Sequence, residues 1–164
     1  MSDVSVIIAT DMQGGFGLRG RIPWYYPEDF AFFKNITEGH ACVMGRNTYN
    51  EIRMIADRCN RKALLPNRQC YVLSTTLSET RGATVIQSLH DITCDSYFVI
   101  GGKQLYDSAL DVANKVYLTT VNKVFECDTY FALDKMHDMF TLANTFPSTH
   151  PDLTFQLYER SKDK

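Results

Sequence analysis

Apolar positions recur along the chain with two different periods, and these periods predict its strands and helices. Runs rich in Val, Ile, Phe and Tyr predict strands over residues 4–10, 41–45, 69–74, 84–86, 97–100 and 115–121. Helical spacing occupies residues 27–38, the segment from residue 47 onward, and residues 102–110. Strands that alternate with helices in this way are typical of an α/β fold with a mostly parallel sheet.

The final part of the chain changes character, because the helical spacing fades after Val121. Residues 138–145 and 153–160 suit an antiparallel hairpin that closes the sheet. No linker, repeat or low-complexity tract interrupts the chain, and its 164 residues suffice for one sizeable core. We therefore predict a single α/β domain over residues 1–164, with a mostly parallel central sheet, flanking helices and a C-terminal antiparallel hairpin.

Composition and charge argue against several classes of protein. A net charge of -2 gives no sign of a nucleic-acid surface, and the apolar runs are too short to span a membrane. The five cysteines are scattered without a CxxC pair, and the four histidines lack ligand spacing, so neither a disulfide framework nor a metal site is predicted. The acidic start Met1-Ser2-Asp3 does not resemble a signal peptide, so we expect a cytoplasmic protein with reduced thiols.

Asp29 is the most informative residue, because it falls on an apolar helix face. Pro27 occupies the first turn of the predicted helix, and Phe32 and Phe33 follow Asp29 at helical spacing. A carboxylate in such surroundings needs a partner or its pKa rises, and it can recognise a cationic or protonating heterocycle. The alternative is a solvated first-turn acid that complements the helix dipole, which is the role expected of Glu28.

A glycine pattern after the first strand has the form of the Rossmann fingerprint. Residues 15–20 read Gly-Phe-Gly-Leu-Arg-Gly, but that fingerprint requires its third glycine to lie in a helix. Pro23 and Pro27 prevent a helix there, so residues 11–26 are predicted to form a long loop, of the kind that often acts as a mobile lid.

Two other strand ends have the features of phosphate-binding turns. Arg46 stands where the second strand passes into a helix, and Gly101-Gly102 stands at the equivalent point later in the chain. A tight structural turn explains either motif alone. Ser74 and Thr75, at the end of a neighbouring strand, add hydroxyls suited to an extra phosphate.

Further residues extend these motifs along nearly the whole chain in a characteristic order. They are Ile7-Ile8-Ala9, Gly17 with Pro23-Trp24, Pro27 with Asp29-Phe30 and Phe33-Lys34, residues 43–46 with Thr48-Tyr49, Leu65-Pro66 with Arg68, Leu73-Ser74-Thr75, Ile100-Gly101-Gly102 with Tyr106, residues 117–119, and Asp128-Thr129 with Phe131. In this order and spacing the chain resembles the dihydrofolate reductase family.

The resemblance implies an activity and a set of partners. The expected reaction is the NADPH-dependent reduction of 7,8-dihydrofolate to tetrahydrofolate, which supplies one-carbon and thymidylate metabolism. Hydride passes to C6 of the pterin and a proton to N5, and we expect a water admitted by the 11–26 loop to deliver that proton. A monomer that binds dihydrofolate and antifolate inhibitors is implied, and no nucleic acid or membrane.

The resemblance also implies a role for each matching residue. Asp29, Thr119 and Trp24 would be catalytic, with Asp29 and Thr119 holding the 2-amino and N3 edge of the pterin. The substrate would be bound by Ile7, Ile8, Asp29, Phe30, Phe33, Ile52, Leu65, Arg68, Ile100 and Thr119, with Arg68 on its α-carboxylate. NADPH would be bound by Ala9, Gly17, Leu18, Arg46, Asn47, Thr48, Leu73, Ser74, Thr75, Gly101, Gly102, Lys103, Gln104, Leu105 and Tyr106, and the Gly101–Gly102 peptide would be cis.

Three departures from the family pattern stand out. Asn67 replaces a glycine before Arg68, where its side chain tolerates a left-handed turn. Gln104 replaces a basic residue of some members, so the cofactor phosphate would depend on Arg46. The chain between Ile52 and Leu65 is also longer than usual, and its helix is predicted to run to about Cys59 with Asn60 ending it.

Residues 53–62 of that longer segment carry Arg53, Arg58, Arg61 and Lys62 against Asp57. These cations either form a solvated basic surface that binds no ligand, or they attract polyglutamylated folates.

Two rival functions remain open at this point. One is a pyrimidine reductase of riboflavin synthesis, which shares the Gly-Gly half of the fold but lacks the Trp24 and Asp29 arrangement. The other is a folate- or nucleotide-binding structural protein without turnover.

Overall fold

The computed structural model describes residues 3–60, 63–77 and 82–162, and its elements follow the predicted order with small shifts at their ends. The strands are β1 (Asp3–Thr10), β2 (Gly15–Gly17), β3 (Ala41–Gly45), β4 (Gln69–Leu73), β5 (Thr84–Ile86), β6 (Ser96–Val99), β7 (Lys115–Val121), β8 (Thr129–Tyr130), β9 (Phe140–Phe146) and β10 (Leu153–Arg160). The α-helices are α1 (Pro27–Thr37), α2 (Arg46–Arg58), α3 (Lys103–Ala109) and α4 (Leu133–Met139), and a short 3₁₀ turn covers Leu89–Asp91.

An eight-stranded sheet in the order β5-β4-β3-β6-β1-β7-β10-β9 forms the centre of the molecule. The six strands from β5 to β7 are parallel, and β10 and β9 complete the sheet in antiparallel pairing. The predicted fold class, including the closing hairpin, is confirmed. The carboxyl ends of the parallel strands lie at one edge, which is where open α/β sheets bind ligands.

Successive side chains of a strand point to opposite faces of the sheet, so both faces carry apolar side chains and helices cover both. Val6 and Ile8 of β1 point to the face covered by α3, within the largest core cluster. Ile7 points to the opposite face and packs with Phe33 of α1. No helix within the described ranges has the length and apolar character needed to cross a bilayer.

Two parts of the prediction are wrong in detail. Helix α4 was not predicted, and it includes Asp138 and Met139, so strand β9 begins at Phe140 and not at residue 138. The helix has seven residues and buries only Met136 among them, which is too little periodicity to recognise. The 11–26 segment is also not wholly loop, because Gly15–Gly17 pairs with Thr129–Tyr130 from far along the chain.

Candidate functional site

Asp29 of α1 and Thr119 of β7 are neighbours near the carboxyl end of the central strands. Thr119 of β7 lies beside Ala9 of β1 and opposite Phe155 of β10. The ring of Phe32 stacks on Phe155, with centroids 4.3 Å apart, so α1 crosses the sheet at this point. Asp29 lies one turn earlier on α1 and accepts a hydrogen bond from the Thr119 side chain. The structure therefore brings Asp29 and Thr119 together, and their role in binding a pterin stays a prediction.

The electrostatics of Asp29 are those of a carboxylate withdrawn from water. Burial raises the pKa of the Asp29 carboxyl, and the hydrogen bond from Thr119 partly lowers it again. Tyr106 lies near Asp29. Burial raises the pKa of the Tyr106 hydroxyl, and the charge on Asp29 raises it further. That hydroxyl donates to the Ile7 carbonyl at 2.9 Å. One carboxylate, two hydroxyls and one backbone carbonyl thus meet at the edge of the sheet.

Apolar side chains of α1 and α2 meet around Leu65 and Ile100. Leu65 and Ile100 each pack against two clusters, one that includes Phe33 and one that includes Ile52. These four predicted substrate-binding residues are brought together. Phe30 stands apart from them, since it is 46% exposed and its ring packs on Tyr25.

The prediction that Ile8 takes part in substrate binding is wrong for its side chain. Ile8 is buried in the core on the α3 face, opposite the face that carries Asp29. Adjacent residues of a strand point to opposite faces, so Ile7 and Ile8 cannot both face the same cleft.

Arg68 is fixed by backbone and side-chain acceptors. Its Nε donates to the Thr37 hydroxyl at 3.0 Å, and its two terminal nitrogens donate to the carbonyls of Pro66 and Lys34. The neighbouring Asn67 has φ 65°, which confirms the expected left-handed turn. Glu38 completes the surroundings with an ion pair to the guanidinium at 3.1 Å.

The glycine-rich loop is a hairpin, which explains why its GxGxxG string is not a Rossmann turn. Leu18 and Arg21 exchange backbone hydrogen bonds of 2.8 and 3.0 Å. Arg19 and Gly20 between them both have positive φ, as a type I′ turn requires. The third glycine of the string therefore lies at a hairpin tip and not inside a helix.

Two carboxylates that were not predicted as site residues anchor this loop. Asp11 is 1% exposed and accepts hydrogen bonds from the backbone N–H groups of Gln13, Gly15 and Phe125 at 2.8–2.9 Å. Asp128 accepts one from the Arg19 N–H at 2.9 Å. The contacts of Asp11 with Phe125 and of Asp128 with Arg19 each join residues more than a hundred positions apart in sequence, so no local pattern points to them.

The two glycine-bearing turns pack against each other at the same edge of the sheet. Gly45 donates its N–H to the Gly101 carbonyl at 2.8 Å, and the Gly101–Gly102 peptide is cis, as the resemblance implied. A Cβ at Gly101 would lie 3.0 Å from the Thr48 hydroxyl, and Gly101 has φ 132°. Glycine is therefore required there both by the backbone and by the space.

The arginine expected to bind phosphate lies at the start of α2. Arg46 is exposed, and its Nη1 donates to the Thr76 hydroxyl at 3.3 Å. Ser74 accepts from the N–H groups of Thr76 and Leu77, so the turn after β4 presents several hydroxyls beside Arg46. Thr75 is exposed in the same turn. Thr76 was not among the predicted residues, although it contacts Arg46 directly.

The remaining predicted cofactor residues divide between surface and core. Asn47, Lys103 and Gln104 are exposed near the two turns, and Leu18 and Leu73 are half-buried. Leu105 and Tyr106 are buried in the main core, so a contact of Leu105 with a cofactor would have to be made by its backbone.

Two more residues complete the comparison with the sequence prediction. The Trp24 ring is half-buried and packs on Phe125, beside the anchored loop. Glu28 is not simply a solvated acid, because it accepts hydrogen bonds from the backbone and hydroxyl of Thr149 at 2.9 Å each. Within the described residues, no group of His, Cys, Asp and Glu is placed to hold a metal ion.

Fold and site together define an α/β domain in which Asp29, a group of apolar side chains from α1 and α2, and two glycine-bearing turns lie toward the carboxyl edge of the sheet. The family model for dihydrofolate reductase matches residues 3–160. A dihydrofolate reductase of Bacillus subtilis is 37% identical over 134 residues, which cover 78% of this chain and 74% of that protein. One from Staphylococcus aureus is 32% identical over 131 residues, covering 78% and 77%.

A solved structure agrees with these sequence matches. The dihydrofolate reductase from Enterococcus faecalis, complexed with NADP(H) and RAB-propyl, superposes with a TM-score of 0.81 at 25% identity. The superposition covers 98% of this chain and 97% of that one. The chain belongs to the dihydrofolate reductase family.

Proposed function

We propose that this protein catalyses the NADPH-dependent reduction of 7,8-dihydrofolate to 5,6,7,8-tetrahydrofolate. The observation that carries the proposal is the Asp29 carboxylate, which is withdrawn from water, has the Thr119 hydroxyl as its partner and lies on a helix whose Phe32 and Phe33 pack in apolar clusters. A pterin presents an amino group and a ring N–H along one edge, and a carboxylate can accept a hydrogen bond from each. The family membership of the chain agrees with this activity.

The cleft has a place for each part of dihydrofolate. Asp29 and Thr119 bind the 2-amino and N3 edge of the pterin, and the carbonyls of Ile7 and Ile100 lie beside it. Phe33, Ile52 and Leu65 enclose the rings. Phe30 stands apart from these three residues in the structure and would contact the substrate from the exposed side of α1. Arg68 binds the α-carboxylate of the glutamate tail, because a guanidinium matches a carboxylate with two parallel hydrogen bonds.

The two glycine-bearing turns fit a dinucleotide. The close approach of Gly45, Gly101 and Thr48 leaves no room for a Cβ at Gly101, so backbone groups can meet a diphosphate directly. Arg46, Ser74 and Thr75, with Thr76, place a cation and hydroxyls at the neighbouring strand end, which suits a 2′-phosphate. Ala9 lies beside Thr119, and Gly17 and Leu18 belong to the loop that follows β1; these three residues would enclose the nicotinamide.

The protein contributes orientation and electrostatics to the reaction. When bound, the nicotinamide supplies the hydride for C6 of the pterin. Asp29 holds a negative charge near the pterin, which favours the protonated form of the substrate. Trp24 and the 11–26 loop limit the access of water to the cleft, and a water admitted there delivers the proton to N5.

The test of this function is a direct assay of the purified protein. Adding dihydrofolate to protein and NADPH should lower the absorbance of the NADPH band. Absence of turnover, together with measurable folate binding, would instead favour a non-catalytic folate-binding protein. Turnover of an aminopyrimidine substrate of riboflavin synthesis in place of dihydrofolate would favour the pyrimidine reductase.

We also infer that the protein acts as a single-domain monomer in the cytoplasm. Its five cysteines are all free, which suits a reducing compartment.

The basic part of α2 leads to a prediction about substrate capture. Helix α2 ends at Arg58, and Asn60 follows it with φ 54°, close to the predicted end. Arg53 and Arg58 are exposed. Arg61 and Lys62 lie outside the described residues. If these cations attract polyglutamate, the KM of pentaglutamyl dihydrofolate should lie below that of the monoglutamate at low salt. The difference should fade as salt rises, since exposed charges are screened over a Debye length of about 8 Å at physiological salt.

Both Michaelis constants are measured from low to high ionic strength. A ratio near one at every salt concentration would leave the segment as a solvated basic surface.

A further inference from the structure

The guanidinium of Arg68 already holds a carboxylate of its own chain. Its side chain is only 5% exposed, and four protein acceptors surround it within the described residues. Three of them are the Thr37 hydroxyl and the carbonyls of Pro66 and Lys34. The fourth is Oε2 of Glu38, which lies 3.1 Å from Nη2.

Glu38 is held in this position from two sides. Its second oxygen, Oε1, accepts a hydrogen bond from Nδ2 of Asn67 at 3.1 Å. The backbone at the end of α1 is tied to the same turn, because Gly39 donates its N–H to the Asn67 carbonyl at 3.2 Å. Asn67 and Arg68 therefore bind the two oxygens of one carboxylate.

The number of donors sets a limit on what Arg68 can bind. A guanidinium has five N–H donors, and the four acceptors leave one over. A substrate carboxylate bound through two parallel hydrogen bonds needs two donors. The α-carboxylate of dihydrofolate can therefore pair fully with Arg68 only after the Glu38 carboxylate has left.

We propose that Glu38 is an internal competitor for the substrate's α-carboxylate and so a specificity-determining residue of the folate cleft. The proposal rests on the proposed role of Arg68 in binding that carboxylate. Glu38 is 56% exposed, so its side chain can move into water when the substrate arrives. Thr37, Pro66 and Lys34 keep the guanidinium in place throughout the exchange. The substrate's glutamate thus replaces one carboxylate by another and gains less affinity than it would on an unoccupied arginine.

The test compares Glu38→Gln with the unmodified protein. A neutral amide holds the guanidinium more weakly, so the KM of dihydrofolate should fall by about two- to five-fold, the range of a partly exposed ion pair. The turnover number should not change, because the contact is made equally in the ground state and the transition state. A dihydropterin without the aminobenzoylglutamate tail should show no change in KM. Titration with dihydrofolate checks that the dissociation constant moves with KM.

Two further variants separate competition from general effects. Glu159→Gln removes the same charge from an exposed position of β10 and should leave the KM of dihydrofolate unchanged. Its strand partner Lys115 is the first residue of β7, so the pair lies at the amino ends of the parallel strands, away from the carboxyl ends that carry the proposed site. Asn67→Gly keeps the left-handed backbone but removes the amide that holds Oε1. It should lower the KM of dihydrofolate in the same direction, and its effect should not add to that of Glu38→Gln.

An unchanged KM in Glu38→Gln, in a protein that reduces dihydrofolate, would overturn the competition and leave the proposed function standing. An equal fall for the tail-less substrate would also overturn it, because Arg68 does not meet that substrate. Lack of dihydrofolate turnover in the unmodified protein would overturn the proposed function, and the competition with it.

Discussion

Replacing Asp29 with Asn is expected to lower turnover at neutral pH by about 10²–10⁴-fold, the usual effect of a positioned acid–base group. The variant keeps the shape of the side chain and its hydrogen bond with Thr119, but it loses the charge that favours a protonated pterin. Activity should partly recover at low pH, where the substrate arrives already protonated. The measurement is a pH profile of the turnover number, and wild-type turnover at pH 7 would contradict the role of Asp29.

The same variant should be more stable than the unmodified protein at neutral pH. Burial raises the pKa of Asp29, so the folded state favours its protonated form. The stability that Asp29 contributes is therefore complete below its usual pKa of 3.8 and is lost as pH rises through the raised value. Asn carries no charge at any pH, so its advantage in the free energy of unfolding should fade as pH falls through this range. Denaturant titrations of both proteins at several pH values measure this difference in the free energy of unfolding.

Glu28→Gln is the matched control, since it neutralises the adjacent carboxylate of the same helix. The backbone hydrogen bond from Thr149 is the main cause that lowers the pKa of Glu28, so this carboxylate stabilises the fold above its usual pKa of 4.5. That contribution is lost as pH falls through the lowered value. Its replacement should therefore reduce stability at neutral pH and leave turnover nearly unchanged. At neutral pH the free energy of unfolding should thus rise in Asp29→Asn and fall in Glu28→Gln.

Replacing Arg46 with Ala should raise the KM for NADPH by about ten-fold or more and leave that for NADH nearly unchanged. Hydrogen bonds to charged groups contribute roughly 1.5–3 kcal/mol, and only NADPH carries the 2′-phosphate. Arg46 reaches the hydroxyl-bearing turn after β4 through Thr76, so its guanidinium is already directed toward that site. Steady-state kinetics with both cofactors measure the effect.

Arg53→Ala provides the control for charge. Arg53 is an exposed cation on the same helix, seven residues further on, and its removal should change neither KM by a comparable factor. Equal changes for NADPH and NADH in Arg46→Ala would show that the arginine supports the turn and does not select the phosphate.

Several features of the site depend on contacts that no local pattern encodes. Asp11 and Asp128 anchor the loop through partners more than a hundred residues away, and Thr76 meets Arg46 only because β3 and β4 lie side by side. Ile8 is a different case. Strand alternation already separates it from Ile7, and family resemblance alone had placed both in the cleft.

By itself, the sequence determined the elements whose signals are short in range. The strands and α1, α2 and α3 follow from hydrophobic periodicity, and the end of α2 and the turn at Asn67 follow from residues that accept a positive φ. The position of Asp29 on an apolar helix face belongs to the same group, because it depends on spacing within a single turn.

Tertiary structure alone decided how these elements meet. It formed α4 and the pairing of β2 with β8, where few residues are buried or few hydrogen bonds are made and the local signal is correspondingly weak. It also set Glu38 against Arg68, because the end of α1 and the turn before β4 are joined only in the folded chain. Periodicity reports which side of an element is buried, but the partner that covers it is fixed by packing across the whole domain.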